Sequence, residues 1–251
     1  MQRGHFFAVP CANAECQTAS RLFRKRAEVD VVQVVTVTSH NDCRITGPVV
    51  LSQDLSSQFS AVRKVCGDGN CFYRAFCFAY LESVLHSARD LQRFKDKIIQ
   101  GSAILVSAGF EEDFFRHHLD TVLQVVEQSQ ADVIALFRLF NEHTTSDSVV
   151  QYLRLLTSAH LQNNADFFRN FVEAPDLQVY CHEEVEAMAM ECDHVDISAL
   201  SQALDISIHI VSMEGDGQQL AHHIIPENGD PSLHLLYHTS HYDILYPRAQ
   251  L

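Results

Sequence analysis

Long apolar runs are missing from this chain of 251 residues. None approaches the roughly 20 residues that cross a bilayer. Phe6-Phe7-Ala8-Val9, ahead of Pro10, is too short for a secretory core. Neither export nor membrane anchoring is expected. Cysteine, at 8 residues, is too sparse and too irregularly placed for a disulfide framework. Cys11/Cys16 and Cys181-His182/Cys192-x-His194 lack the CxxC spacing of a zinc site, so no metal is expected. The setting expected is reducing, cytoplasmic or also nuclear. Positive charge is in deficit: a net charge of −14 argues against nucleic acid or an anionic membrane surface and suits a cationic partner. There is no internal repeat and no low-complexity tract. What is present is ordinary for a soluble globular chain, with 47% hydrophobic and 20% charged residues and enough length to bury one sizeable core.

The most informative stretch is Gly67-Asp68-Gly69-Asn70-Cys71-Phe72-Tyr73-Arg74-Ala75-Phe76. Its Gly, Asp and Asn residues tolerate left-handed backbone angles and predict a sharp turn. After it Phe72, Ala75, Phe76, Ala79, Tyr80 and Ser83 recur at helical spacing. Cys71 therefore falls in the first turn of a buried helix, where unpaired amides and the helix dipole favour a thiolate. The N–H groups of Asp68, Gly69, Asn70 and Cys71 could also face a developing oxyanion. The competing reading is a small core hydrophobe, the common fate of a free cysteine. Cys77, on the same helix with nothing polar beside it, is read that way.

At the other end of the chain, 233–237 and 242–246 read as paired antiparallel strands with Thr239-Ser240 between them. His241 opens the last strand and Asp243 follows two positions on. Residues i and i+2 share a face of a strand, so the Asp243 carboxylate can reach the imidazole. A histidine held by a carboxylate and brought to a helix-terminal cysteine is what thiol catalysis requires. His241 is also one of 15 histidines, and a purely structural pairing with a neighbour is the other reading.

These two motifs closely resemble the otubain branch of the ovarian-tumour (OTU) cysteine deubiquitinases. Further support comes from Asn141 with Ser146-Asp147, from Tyr152-Leu153-Arg154-Leu155-Leu156-Thr157-Ser158 and from Glu191-Cys192-Asp193-His194. Ala165-Asp166-Phe167-Phe168-Arg169 and Ala199-Leu200-Ser201-Gln202-Ala203-Leu204 fit the second otubain form, a ubiquitin thioesterase, better than the first. The resemblance runs in order from about residue 58 to 246. It implies an α+β, papain-like fold with a helical lobe and a small, mostly antiparallel sheet. It also implies a cysteine-dependent deubiquitinase that cleaves isopeptide bonds of polyubiquitin chains, without cofactor or metal. The site residues implied are Cys71, His241, Asp243 and Asp68, with Asp68 stabilising the loop rather than moving a proton. Ubiquitin, whose tail is Arg-containing, would be the partner of an acidic monomer. The alternative is a non-catalytic regulator that binds ubiquitin-conjugating enzymes through an N-terminal helix, and no such helix is predicted before Gln58.

Residues 56–251 are assigned to the catalytic domain, and 1–55 either to a divergent, poorly ordered extension or to a stretch that does not belong to the folded domain. The extension carries a balance of +1 against −15 for the remainder. Residues 31–38 are strand-like and 49–51 a shorter echo, where an otubain would be helical. Arg24-Lys25-Arg26 reads as a solvated turn or a minimal nuclear signal. Within the domain, residues 60–64 lead into the active-site loop. Helices are predicted over 71–86, 88–100, 111–128, 131–140, 147–172 (broken near 162–164) and 197–204. In the third of these Phe114, His118, Val122, Val125 and Val126 are placed on the core face. Strands are predicted over 206–211 and 222–225, with turns at 215–217 and 228–231. His209, His222, His223, His234 and His238 are placed on the sheet surface; His182 and His194 receive no role.

Overall fold

The fold is described from a computed structural model, which covers residues 33–36, 53–130, 132–174, 176–214 and 219–248. Its long helices gather on one face of a six-stranded sheet, and Leu55 of the short helix Gln53–Gln58 packs on the other, the α+β layout expected from the sequence. In chain order the strands are β1 (Gln33–Thr36), β2 (Phe59–Lys64), β3 (Ile208–Glu214), β4 (Gln219–Ile225), β5 (Leu233–Tyr237) and β6 (Tyr242–Pro247). The spatial order is β1-β2-β6-β5-β3-β4, with β1–β2 and β3–β5 parallel and the other pairs antiparallel.

The β5–β6 hairpin closes through two residues, Thr239 and Ser240, both at positive φ (51° and 57°). His238 and His241 exchange backbone hydrogen bonds across them at 3.0 and 3.2 Å. Such a turn matches the twist of the strands, though residues other than Gly, Asn or Asp adopt it at some cost. It fixes His241 at the mouth of β6. Pairing of β6 with β2, in the register Val62↔Leu245 and Arg63↔Ile244, then carries the end of β2 to the same place.

β2 is a central strand that the sequence reading took for an approach to the loop. Ser60, Arg63 and Lys64 interrupt its apolar pattern. Arg63 is nevertheless buried, stacked on Phe78 at 4.8 Å and bonded to Glu82 and Tyr246. A short helix, α1 (Gln53–Gln58), precedes it where none was expected. β1 falls within the predicted strand 31–38, while 49–51 and 215–217 lie outside the described residues.

The helical lobe centres on α2 (Cys71–Val84), which is buried nearly all round, as a sequence apolar on every face apart from Arg74, Glu82 and Ser83 dictates. Around it lie α3 (Ala88–Ser107), α4 (Glu112–Ser129), α5 (Val133–Asn141) and α6 (His143–Asn163). α3 continues a further two turns beyond the predicted end at residue 100. Gly101, just past that predicted end, permits a close crossing with α6. A Cβ there would lie 2.9 Å from the Tyr152 hydroxyl, which donates to the Ile98 carbonyl.

In α4 the core face is Phe115, Leu119, Val122, Val125 and Val126, whereas Phe114 is exposed. The predicted face took the wrong one of two adjacent phenylalanines and put half-buried His118 where Leu119 belongs. The spacing 115, 119, 122, 126 is the one that returns to the same side at 3.6 residues per turn. α6 breaks at Asn164, close to the predicted position, and is followed by α7 (Ala165–Phe168), a 3₁₀ turn, and α8 (Leu177–Tyr180). A final helix, α9 (His194–Leu204), starts with a capping box between Asp193 and Asp196.

Candidate active site

The Gly67–Asn70 loop leads straight into α2, and Asn70 occupies its N-cap, its carbonyl accepting from the Arg74 amide at 3.1 Å. Cys71 is thus the first residue of the helix, and its amide is one of those with no intrahelical partner. The side chain is buried, 6% exposed. Gly67 lies under the His241 ring: a Cβ there would sit 3.6 Å from Cε1 and Nδ1.

His241 comes to Cys71 from the sheet. Its Nε2 lies 3.1 Å from Asp243 Oδ1, as the i, i+2 spacing predicts, which leaves Nδ1 for the sulfur. The hydrogen bond to Asp243, then that to Cys71, outweighs the opposing effect of burial and raises the His241 pKa to about 10. The imidazole is therefore held as an imidazolium. Burial would raise the Asp243 pKa, yet the bonds from His241 and Lys64 overcome it and the carboxyl is held below its usual value. Asp243 is fixed from two further directions. Oδ1 accepts from the Val65 amide at 3.0 Å and Oδ2 from Lys64 Nζ at 2.6 Å. Neither partner stands out in the sequence, because their roles exist only once β2 lies against β6.

Asp68 is engaged by its own loop and by α2. Its Oδ1 accepts from the Asn70 amide at 3.0 Å and from Arg74 Nη1 at 2.8 Å. Arg74 is itself held by Ser146 and Asp147. Burial opposes ionisation of Asp68, but Arg74 more than offsets it and the pKa is lowered. Because Asp68 occupies the Asn70 amide, that group is not aimed at an oxyanion. Of the four expected donors, the Cys71 amide is the one set at the free end of the helix. Cys77 lies in the core, and burial pushes its thiol up to about 12, so it stays protonated.

A contributor without an assigned role in the sequence reading is Arg154 of α6, wholly buried beneath the loop. Its signal was a lone cation in the apolar run Leu153-Arg154-Leu155-Leu156. Gly69 adopts φ +78°, and a Cβ on it would lie 2.1 Å from the Ala189 carbonyl oxygen. Ala189 in turn donates to Asn70 Oδ1 at 2.9 Å. Away from the site, His209 links His234 and His222 at 2.9 and 3.0 Å on the sheet; His222 is exposed as expected, whereas His209 and His234 are half-buried beside Phe59. His182 is exposed and His194 begins α9. Among the described residues no group of three or more His, Cys, Asp or Glu side chains could hold a metal ion, and no helix is long and apolar enough to cross a membrane.

The chain matches the family model for the otubains, peptidase C65, over residues 21–247. It is 49% identical over 197 residues to ubiquitin thioesterase OTUB2 of Mus musculus, covering 77% of this chain and 84% of that protein. With human ubiquitin thioesterase OTUB1 it shares 44% identity over 198 residues, covering 77% and 73%. The structure of the h/ceOTUB1–ubiquitin aldehyde–UBC13~Ub complex superimposes with a TM-score of 0.71 at 28% identity, covering 78% of this chain and 80% of that one.

Proposed function

The chain belongs to the otubain family, peptidase C65, and from that premise we propose that it is a cysteine-dependent deubiquitinase cleaving isopeptide bonds after the C-terminal glycine of ubiquitin. The observation that supports this most directly is the meeting of Cys71 and His241, from opposite ends of the chain, with Asp243 behind the imidazole. In the reaction the Cys71 thiolate attacks the glycine carbonyl. The tetrahedral oxyanion is met by the Cys71 amide at the positive end of α2. His241 gives its proton to the leaving lysine amine as the C–N bond breaks and a thioester remains. Water, deprotonated by His241, then hydrolyses the thioester and frees the ubiquitin carboxylate. Asp243 keeps the ring in the tautomer and orientation that both steps need.

Ubiquitin is one partner, and a ubiquitin-conjugating enzyme a second. Two solved OTUB1 structures that the chain resembles are complexes with ubiquitin aldehyde and with UBC13~Ub or UBCH5B~Ub. From the sequence the second partner is kept as the alternative, disfavoured by the want of a predicted helix before Gln58, and α1 ends at that residue. We assign catalysis to 56–251, with 1–55 an extension whose strand β1 joins the sheet edge, in a reducing cytoplasmic or nuclear compartment. A ubiquitin probe carrying a C-terminal electrophile tests the reaction: it labels the wild type and leaves Cys71→Ala unlabelled. An unlabelled wild type, or equal labelling of Cys71→Ala, overturns the reading.

A further inference from the structure

Arg154 is completely buried, and every hydrogen bond it makes among the described residues goes to a carbonyl oxygen. Nε and Nη2 donate to Asn70 Oδ1 at 3.2 and 2.9 Å, and Nη2 also reaches the Gly69 carbonyl at 3.0 Å. On the far side Nη1 donates to Val185 O at 3.0 Å and Nη2 to Met190 O at 2.7 Å. The guanidinium lies over the Tyr73 ring, 4.6 Å from its centroid. It joins no ion pair among the described residues. A buried cation is costly, and a shape-matched apolar residue would fill this space at lower cost if packing alone were at stake.

The peptide that joins Gly69 to Asn70 explains its presence. The oxygen of that peptide is held by Arg154, and its N–H, on the opposite edge of the same plane, is held by the Asp68 carboxylate at 3.0 Å. A cation grips the negative end of the peptide dipole and an anion grips the positive end. Gly69, at φ +78°, is the residue about which such a plane turns most easily. Reversal would set the N–H against a guanidinium and the carbonyl against a carboxylate. It would also swing the backbone that precedes the Cys71 amide. We propose that Arg154 is a positioning residue of the reaction, holding the Gly69–Asn70 peptide in the one orientation that leaves the Cys71 amide aimed at the oxyanion.

This rests on the hydrolase reading above, and the test separates the two. Arg154→Lys keeps a cation but loses the planar fork that serves several acceptors at once. With a fluorogenic ubiquitin C-terminal amide, its kcat is expected to fall about 10²-fold, the scale of one lost oxyanion donor, at an unchanged KM. Alkylation of Cys71 by iodoacetamide, which forms no oxyanion, is expected to keep its wild-type rate. A merely structural role would slow both reactions together, and that result overturns the proposal. So does a wild-type kcat in Arg154→Lys while the wild type is active. An inactive wild type overturns the hydrolase reading itself. Should Arg154→Lys fail to fold, Asn70→Ala retains the arginine and removes one of its acceptors. Its kcat is then expected to drop at constant KM, and wild-type turnover in that variant overturns the proposal.

Discussion

Lys64 and His241 hold the same carboxylate, that of Asp243, one from the end of β2 and the other from the start of β6. With the Val65 amide they leave Asp243 no freedom to turn. The imidazole is thereby oriented by a group anchored to a neighbouring strand as well as by the turn that sets the start of β6.

The first prediction concerns that anchor. Asp243→Asn keeps the size of the side chain but cannot fix the imidazole tautomer or stabilise the imidazolium. Turnover of a ubiquitin substrate is expected to drop about 10²-fold, near the lower end of what positioned acid–base groups contribute. Lys64→Met, which leaves Val65 and His241 in place, is expected to lose far less. Equal losses in the two variants would contradict this and show that the carboxylate orients the ring only when Lys64 holds it.

The second concerns pH. His241 has a folded pKa raised from 6.5 to about 10, mainly by Asp243 and then by Cys71. A raised value means that the folded state binds the proton more tightly than the unfolded chain. The resulting stability is complete below about 6.5 and is lost as pH climbs through 10. Asp243 acts in the opposite direction, its contribution present above its unfolded value of 3.8 and lost on acidification. The stability difference between wild type and His241→Ala, measured by urea unfolding, should therefore be largest between the two unfolded values, 3.8 and 6.5, and shrink steadily as pH rises from 6.5 towards 10. In Cys71→Ala the imidazole should titrate lower than in the wild type by NMR. A wild-type ring titrating at its ordinary value would contradict this.

The third concerns the hairpin turn. Thr239 and Ser240 both sit at positive φ, where a β-branched residue is disfavoured. Asn-Gly is the pair that this two-residue turn prefers. Thr239→Asn combined with Ser240→Gly is expected to raise stability by about 1 kcal/mol, the lower end of the strain such residues carry. Thermal melts of the double variant check it, and a lower midpoint would refute it.

The site was legible from the sequence where its chemistry is local. The turn before Cys71 and the i, i+2 spacing of His241 and Asp243 are fixed by backbone geometry within a few residues. Lys64, Arg154 and Ala189 were not assigned, because each acts through a partner tens of residues or more away in sequence. β2 was hidden for a related reason. Arg63 reads as a solvated charge until Phe78, Glu82 and Tyr246 assemble around it. Leu119 was missed through a one-residue, roughly 100° ambiguity between Phe114 and Phe115, which periodicity alone leaves open in so apolar a segment.

The two glycines of the nucleophile loop make the last prediction, because they stand in unlike surroundings. At Gly67 a Cβ would meet the His241 ring at 3.6 Å, an ordinary van der Waals contact, and the backbone is not in the left-handed region. Gly67→Ala is therefore expected to fold with near wild-type stability. At Gly69 the backbone is at φ +78°, and a Cβ would lie 2.1 Å from the Ala189 carbonyl oxygen and 2.4 Å from its carbon. Backbone cannot yield as a side chain can, so the loop or the Ala189 segment must move. The left-handed conformation alone costs an alanine on the order of 1–3 kcal/mol, and the collision adds to it. Gly69→Ala should thus lose about 2 kcal/mol or more in urea unfolding and abolish labelling by the ubiquitin probe. Equal stability of the two variants would mean that the loop is free to relax, and it would remove the grounds for regarding its conformation as imposed by the packing beneath it.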